Sequence, residues 1–188
     1  MTQTPSPLAL LRADIRASID SDQPGARTMR TATTIGKVLF TTRLQAVILF
    51  RLAQAFRHSF APLAPVARYL NMVLTGADIA TAATIGPGLQ LFHPAGVVIG
   101  PGCVVGARCT IMQGVTLGAG AGGSPTLGDD VFVGAGAKVF GQIRIEDRCM
   151  IGANAVVLEA MPRDSFVAGV PAKVVKRIER PHHLRDVS

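Results

Sequence analysis

The sequence predicts an α+β chain: an α-helical region at the N-terminal end, then a solenoid of short strands wound into stacked coils. Three observations carry this. Up to residue 75, apolar residues recur three or four apart, the spacing of one helix face. From Ile79 to Val157 an aliphatic residue recurs every sixth position, a period that neither a helix nor a half-buried strand produces. That run slips phase at two places only, as a solenoid does where loops leave one of its faces.

In the helical region, Leu8, Leu11, Ile15 and Ile19 outline a first helix. The stretch Asp20-Ser21-Asp22-Gln23-Pro24-Gly25 is a turn signal that ends it. Residues 35–57 read as a second helix with Leu44, Ile48, Leu52 and Phe56 on its apolar stripe, broken by Pro62 and Pro65. Residues 66–75 allow a short third helix.

After Gly76 the aliphatic positions are Ile79, Ile85 and Leu91, then Ile99, Val105, Ile111 and Leu117, then Leu127, Val133, Val139, Ile145, Ile151 and Val157. Each hexapeptide is one flat side of a triangular prism, three sides close a coil of 18 residues, and thirteen such positions give a little over four coils. A second small or aliphatic residue follows four positions later, as in Ala83, Val115, Val131, Ala137 and Ala155. Glycine directly follows many of the aliphatics, at 86, 100, 106, 118, 128, 134 and 152. At tight corners these glycines are expected to supply a positive φ. Two extra residues separate Leu91 from Ile99, and four separate Leu117 from Leu127. The first insertion holds Phe92-His93-Pro94-Ala95-Gly96, with the one histidine of the repeats. The second holds the glycine cluster from Gly118 to Pro125.

Composition narrows the function classes. With 48% hydrophobic and 16% charged residues the chain is not disordered. With no Trp and one Tyr it lacks the platforms of a base-stacking nucleic-acid binder. So little charge for the surface points to a subunit interface. The net charge of +7 suits an anionic ligand, or reflects only an excess of arginine. Three cysteines and no export leader argue against a disulfide framework. Val47–Phe50 is cut short by Arg51, well under the roughly 20 residues of a membrane span. A cytoplasmic protein is expected.

The runs Val97-Val98-Ile99-Gly100, Ile111 to Gly118, Val133 to Val139, Ile151-Gly152-Ala153 and Ala168 to Ala172 resemble the serine O-acetyltransferase branch of the hexapeptide-repeat acyltransferases. The resemblance implies a left-handed parallel β-helix behind a helical N-terminal domain. It also implies homotrimers, sometimes paired into hexamers, with acetyl-CoA bound between neighbouring subunits and no metal. Residues 1–75 then form the helical domain, 76–172 the acetyltransferase domain and 173–188 a basic tail. His93 falls on the family's catalytic histidine and Asp78 on its partner, 15 residues apart and so close to one stacking step. Gly118, Ala119, Gly134, Ala135 and Ala153 match positions where the pantetheine arm lies, and Lys173 leads a basic set, with Lys176, Arg177, Arg180 and Arg185, suited to the CoA phosphates. Two positions depart from the family. Phe92 stands where an aspartate precedes the histidine, and Gly122-Gly123-Ser124-Pro125 replaces Asp-Arg-His-Pro. Those groups help hold the two ends of serine, so a sugar hydroxyl stays open as the acceptor. Asp22 aligns with an acidic residue that serine enzymes use.

The chemistry follows from acetyl transfer. A hydroxyl attacks a thioester only if a base removes its proton, and imidazole, with an ordinary pKa near 6.5, is the natural base. His93 takes that role, with Asp78 fixing its tautomer. Backbone N–H groups of the glycine loop are placed to meet the thioester. Cys103, Cys109 and Cys149 sit at inward positions and read as small core residues rather than nucleophiles. Zinc needs three or four ligands; the repeats offer His93 alone, while His58, His182 and His183 lie outside them. A catalytically silent β-helix that assembles with a partner enzyme is the remaining alternative.

Overall fold

The computed structural model describes residues 6–22 and 41–178. Among the described residues three helices come first: α1 (Pro7–Asp22), α2 (Thr42–Ser59) and α3 (Leu63–Thr75). The solenoid follows in coils of three strands. The first coil is β1 (Asp78–Ile79), β2 (Thr84–Ile85) and β3 (Gln90–Phe92); the second is β4 (Val98–Ile99), β5 (Val104–Val105) and β6 (Thr110–Met112). The third is β7 (Thr116–Gly118), β8 (Thr126–Leu127) and β9 (Phe132–Val133); the fourth is β10 (Lys138–Phe140), β11 (Arg144–Ile145) and β12 (Met150–Ile151). β13 (Val156–Val157), β14 (Ser165–Gly169) and β15 (Ala172–Arg177) close the stack.

The strands form three parallel faces: β1-β4-β7-β10-β13 on the first, β2-β5-β8-β11 on the second, and β3-β6-β9-β12-β14 on the third, where β15 adds an antiparallel edge. Register confirms the phase reading. On the first face Asp78 pairs with Val98, Val98 with Thr116, Thr116 with Lys138 and Lys138 with Val156. On this face the steps are 20 and 22 residues where the insertions fall and 18 at the other two. All thirteen predicted aliphatics are the inward, buried residues of β1 to β13. With Ala83, Val115, Val131, Ala137, Ala155 and the three cysteines they make one continuous core.

The role expected of the glycines is corrected. None of Gly86, Gly100, Gly106, Gly118, Gly128, Gly134 and Gly152 has a positive φ. At Gly86, Gly106, Gly118, Gly128 and Gly134 the next coil is too close for a side chain, and at Gly100 and Gly152 it leaves a tight fit. A Cβ on Gly86 would lie 2.8 Å from the backbone carbon of Gly106, and one on Gly134 would lie 2.7 Å from Ala153 N and Ile151 O. The left-handed corner positions fall further on. Between the third and first faces they are Gly76, Gly96, Gly114, Gly136 and Asn154; between the second and third they are Gly88, Arg108, Asp130, Arg148 and Asp164. At the latter corner side chains pair along the stack, Arg108 with Asp130 and Arg148 with Asp164, each pair through two hydrogen bonds.

The helices also differ from their predicted faces. On α1 the buried residues are Asp14 and Ser18, and Leu8 is exposed. On α2 Leu44 is buried, but Leu52 is exposed, and the inner face runs through Val47, Phe50 and Arg51; residues 35–40 lie outside the described part. α3 starts at Leu63, before Pro65, because a proline in the first turn removes an N–H that has no helical partner. It turns Ala64, Ala67, Asn71 and Thr75 inward and leaves Val66, Leu70 and Val73 exposed. None of the described helices is long and apolar enough to cross a membrane.

Asp14 and Arg51 join the helices to the first coil. Their side chains are 0% and 2% exposed. Arg51 Nε donates to Asp14 Oδ2 at 2.7 Å, and its two terminal nitrogens donate to the carbonyls of Ile85 and Gly86. Asp14 Oδ1 accepts from the N–H groups of Gly88 and Leu89. Burial pushes the Asp14 carboxyl above its ordinary range, against the pull of Arg51 and the two N–H donors. Gln54 donates to Ala83 O and Arg57 to Thr81 O. Side chains of α2 thus satisfy backbone groups that have no further coil beneath them.

Candidate active site

β3 ends at Phe92, and the chain then turns through His93, Pro94, Ala95 and Gly96 into β4. This turn is the first insertion. Its corner position is Gly96, stacked between Gly76 and Gly114: Gly96 N–H donates to Gly76 O at 2.9 Å, and Gly114 N–H donates to Ala95 O at 3.0 Å. His93 is an additional bend made by the inserted residues, with φ 55° just before a proline. A residue in that place is ordinarily extended, and a left-handed non-glycine costs about 1–2 kcal/mol. The ring is exposed, and among the described residues nothing hydrogen-bonds to it.

Asp78 lies one rung away. Its N–H donates to Val97 O at 2.8 Å, directly after the His93 turn. Because Ile79 points into the core, Asp78 points out, and its carboxylate is gripped by Arg68 of α3: Nε donates to Oδ1 at 2.7 Å and Nη2 to Oδ2 at 3.0 Å. The carboxylate is bound to Arg68 rather than to the His93 ring. Arg68 was not among the expected site residues. Its signal in the sequence is that it is the one charged side chain of α3. On the other side of the turn Arg43 of α2 stacks over the Phe92 ring, 5.4 Å from its centroid, and donates to Ser18 O.

The expected cofactor residues divide into groups. Gly134, Ala135 and Ala153 share the corner of His93, and Asn154 N–H donates to Ala135 O, so a line of small residues runs along this edge. Gly118 and Ala119 lie at the corner between the first and second faces, across the full width of the first face from His93. Their loop is tied down: the Phe140 ring covers Gly118, Gly120 and Gly123 exchange backbone hydrogen bonds, and Ser124 Oγ donates to Pro101 O at 2.8 Å. Lys173 sits on β15, paired with both oxygens of Glu159 at 2.9 Å. Lys176 packs over Phe166, Arg177 donates to Arg163 O, and Arg180 and Arg185 lie outside the described residues. Asp22 is the last residue of α1, and its side chain lies outside the described part, as does that of His58.

Cys103, Cys109 and Cys149 are free and buried, their thiols donating to carbonyl oxygens of Leu117, Gly128 and Pro162. Burial pushes the Cys109 thiol up to about 12, so it supplies no thiolate at neutral pH. Among the described residues no three His, Cys, Asp or Glu side chains gather into a metal site.

The chain matches two family models, bacterial transferase hexapeptide (six repeats) over residues 124–159 and hexapeptide repeat of succinyl-transferase over 96–122. A serine acetyltransferase of Synechococcus elongatus is 39% identical over 172 residues, covering 89% of this chain and 68% of that protein. One of Mycobacterium tuberculosis is 41% identical over 173 residues, covering 89% and 73%. The crystal structure of the Vibrio cholerae serine acetyltransferase superposes with a TM-score of 0.81 at 33% identity, over 95% of this chain and 69% of that one. The Brucella abortus enzyme in complex with coenzyme A gives 0.77 at 31%, over 90% and 67%. The soybean enzyme complexed with serine gives 0.78 at 33%, over 92% and 70%.

Proposed function

The chain belongs to the serine acetyltransferase family, and from that premise we propose that it transfers the acetyl group of acetyl-CoA to the hydroxyl of L-serine. The observation that carries the residue assignment is His93: an exposed imidazole in the turn that breaks the repeat, on the corner lined by Ala135 and Ala153.

One ring nitrogen of His93 accepts the proton of the serine hydroxyl as its oxygen attacks the thioester carbonyl carbon. The carbon–sulfur bond then breaks, the CoA sulfur leaves with the electron pair, and the imidazolium returns the proton to it. O-acetylserine and CoA are released, with no net proton change. In the reacting complex Asp78, whose carboxylate rests here on Arg68, accepts the other ring N–H and so selects the tautomer that presents a free lone pair. A base in this role contributes roughly 10²–10⁴-fold. Gly134, Ala135 and Ala153 leave room for the pantetheine arm along the corner.

We propose that the working unit is a homotrimer. The support is the separation of the two insertions: His93 and the loop carrying Gly118 and Ala119 lie on opposite edges of one face, so a single chain does not close a cleft with both. The loop of one copy set against the His93 corner of the next unites them. Lys173 is the residue proposed to meet the CoA phosphates, on exchange of its Glu159 partner, with Lys176 and Arg177 on the same strand.

A sugar hydroxyl is the second reading, favoured by Phe92 and by the uncharged Gly122–Pro125 segment, which offer no ion pair to an amino acid. CoA release measured with serine and with nucleotide sugars decides between them. Turnover of serine alone supports the first reading, and turnover of sugars alone overturns it. His93→Ala is expected to lower kcat with serine by about 10²–10⁴-fold at an unchanged melting temperature; full activity in that variant removes His93 as the base.

A further inference from the structure

We propose that Arg68 is a positioning residue for the transfer reaction: it sets the carboxylate plane of Asp78 and neutralises its charge, so that Asp78 orients the His93 imidazole without holding it protonated. This rests on the assignment of His93 and Asp78 above.

The geometry is specific. A planar guanidinium meets both carboxylate oxygens in a two-bond fork, at 2.7 and 3.0 Å. Each oxygen keeps a second lone pair, so Asp78 still accepts a ring N–H after Arg68 is seated. The pair spans the junction between the helices and the solenoid. α3 ends at Thr75, Gly76 turns the chain with φ 75°, and β1 begins at Asp78. A helix whose other residues are uncharged therefore projects its one cation onto the strand next to the His93 turn.

Stability does not account for this pair. The two side chains are 44% and 32% exposed, and exposed ion pairs contribute about 0–1 kcal/mol. Its position has a larger consequence. A lone carboxylate beside an imidazole favours the imidazolium, which is the wrong form for a base. An Asp78–Arg68 pair carries no net charge and keeps the directional acceptor. Among the described residues, the other charges placed by contacts around the turn are Arg43 of α2, stacked on Phe92, and Lys138 of β10, whose ammonium is bonded to Gly114 O and Thr116 Oγ1. β4 contributes no charged side chain.

The test is kcat/KM for serine as a function of pH in the full-length chain, for wild type, Arg68→Gln, Arg68→Lys, Asp78→Asn and the double variant Arg68→Gln/Asp78→Asn, with melting temperatures as a control for folding. In Arg68→Gln the acid limb is expected to move to higher pH by roughly 0.5–1.5 units, the effect of one unit charge a few ångströms beyond hydrogen-bond range. The plateau also falls. Arg68→Lys keeps the charge and loses the fork, so its acid limb stays in place while the plateau falls. In the Asp78→Asn background Arg68→Gln no longer lowers the plateau, because no carboxylate is left to position. An unmoved acid limb in Arg68→Gln, or a lysine variant that shifts as the glutamine one does, overturns the proposal while leaving the dyad standing. Wild-type activity in Asp78→Asn overturns the dyad itself, and the role of Arg68 with it.

Discussion

Glycine does two different jobs in this solenoid, and only the geometry separates them. Gly96, Gly114 and Gly136 have a positive φ and shape a corner, whereas Gly86 and Gly134 have ordinary backbone angles and are small because the neighbouring coil abuts them. The hexapeptide pattern displays the second kind, immediately after seven of the thirteen aliphatics, and invites the first explanation. Corners themselves are poorly marked in the sequence, since Arg108, Asp130, Arg148, Asn154 and Asp164 occupy left-handed positions as well. The distinction is measurable. Gly134→Ala places a methyl against the backbone of Ile151 and Ala153, which cannot yield as a side chain would, and is expected to cost about 1–3 kcal/mol in chemical denaturation. The same logic governs the site. His93 and the phase slip around it are visible in the sequence, but Arg68 is not, because its contact with Asp78 depends on how α3 is set against the first strand.

At the scale of elements, periodicity located every strand of the repeat and the three described helices, and it erred on which helix face is inward. On α1 Leu8 is exposed and Leu11 and Ile15 are half-buried, whereas Asp14 is fully inside. The reason is the first coil, whose exposed backbone groups need polar partners more than α1 needs an oily contact. A hydropathy pattern cannot display that requirement, because an aspartate on a helix ordinarily marks a solvated face. Removing one member of the buried pair strands the other: Asp14→Ala leaves the Arg51 guanidinium uncompensated and is expected to cost about 3–5 kcal/mol. The double replacement Asp14→Leu/Arg51→Met is expected to cost much less than the single change, and a thermal denaturation series across the three proteins checks it. Along the second-to-third corner, alternating Arg and Asp make a shallower contribution. Arg148 holds the Asp164 carboxyl below its ordinary range, so this pairing acts above the usual carboxylate range and is lost as pH falls through the lowered value.

For the whole molecule, the period of six fixed the architecture and the two slips marked the corners that leave the core pattern. What the one-dimensional pattern concealed is that those corners flank a face instead of meeting. The proposed trimer follows from that spacing and has a direct check. A His93→Ala chain supplies an intact loop but no base, while a chain with residues 119–123 shortened supplies the base but no loop. Denatured together and refolded as a mixture, the two inactive chains are expected to regain up to a fraction of wild-type turnover; if each site were contained within one chain, the mixture would stay as inactive as its components.

The satisfied ends of the stack carry one last implication. Rungs that repeat have no inherent length, and a bare terminal rung offers any other chain the same hydrogen bonds that its own next coil would use. Here one end is plugged by the guanidinium and amide groups of α2 and the carboxylate of α1, and the other by the backward-running β15 with its Lys173, Lys176 and Arg177. Helices α1 and α2 therefore act as a stopper against fibril growth, and so the chain's own N-terminal end is what keeps the catalytic part a discrete particle.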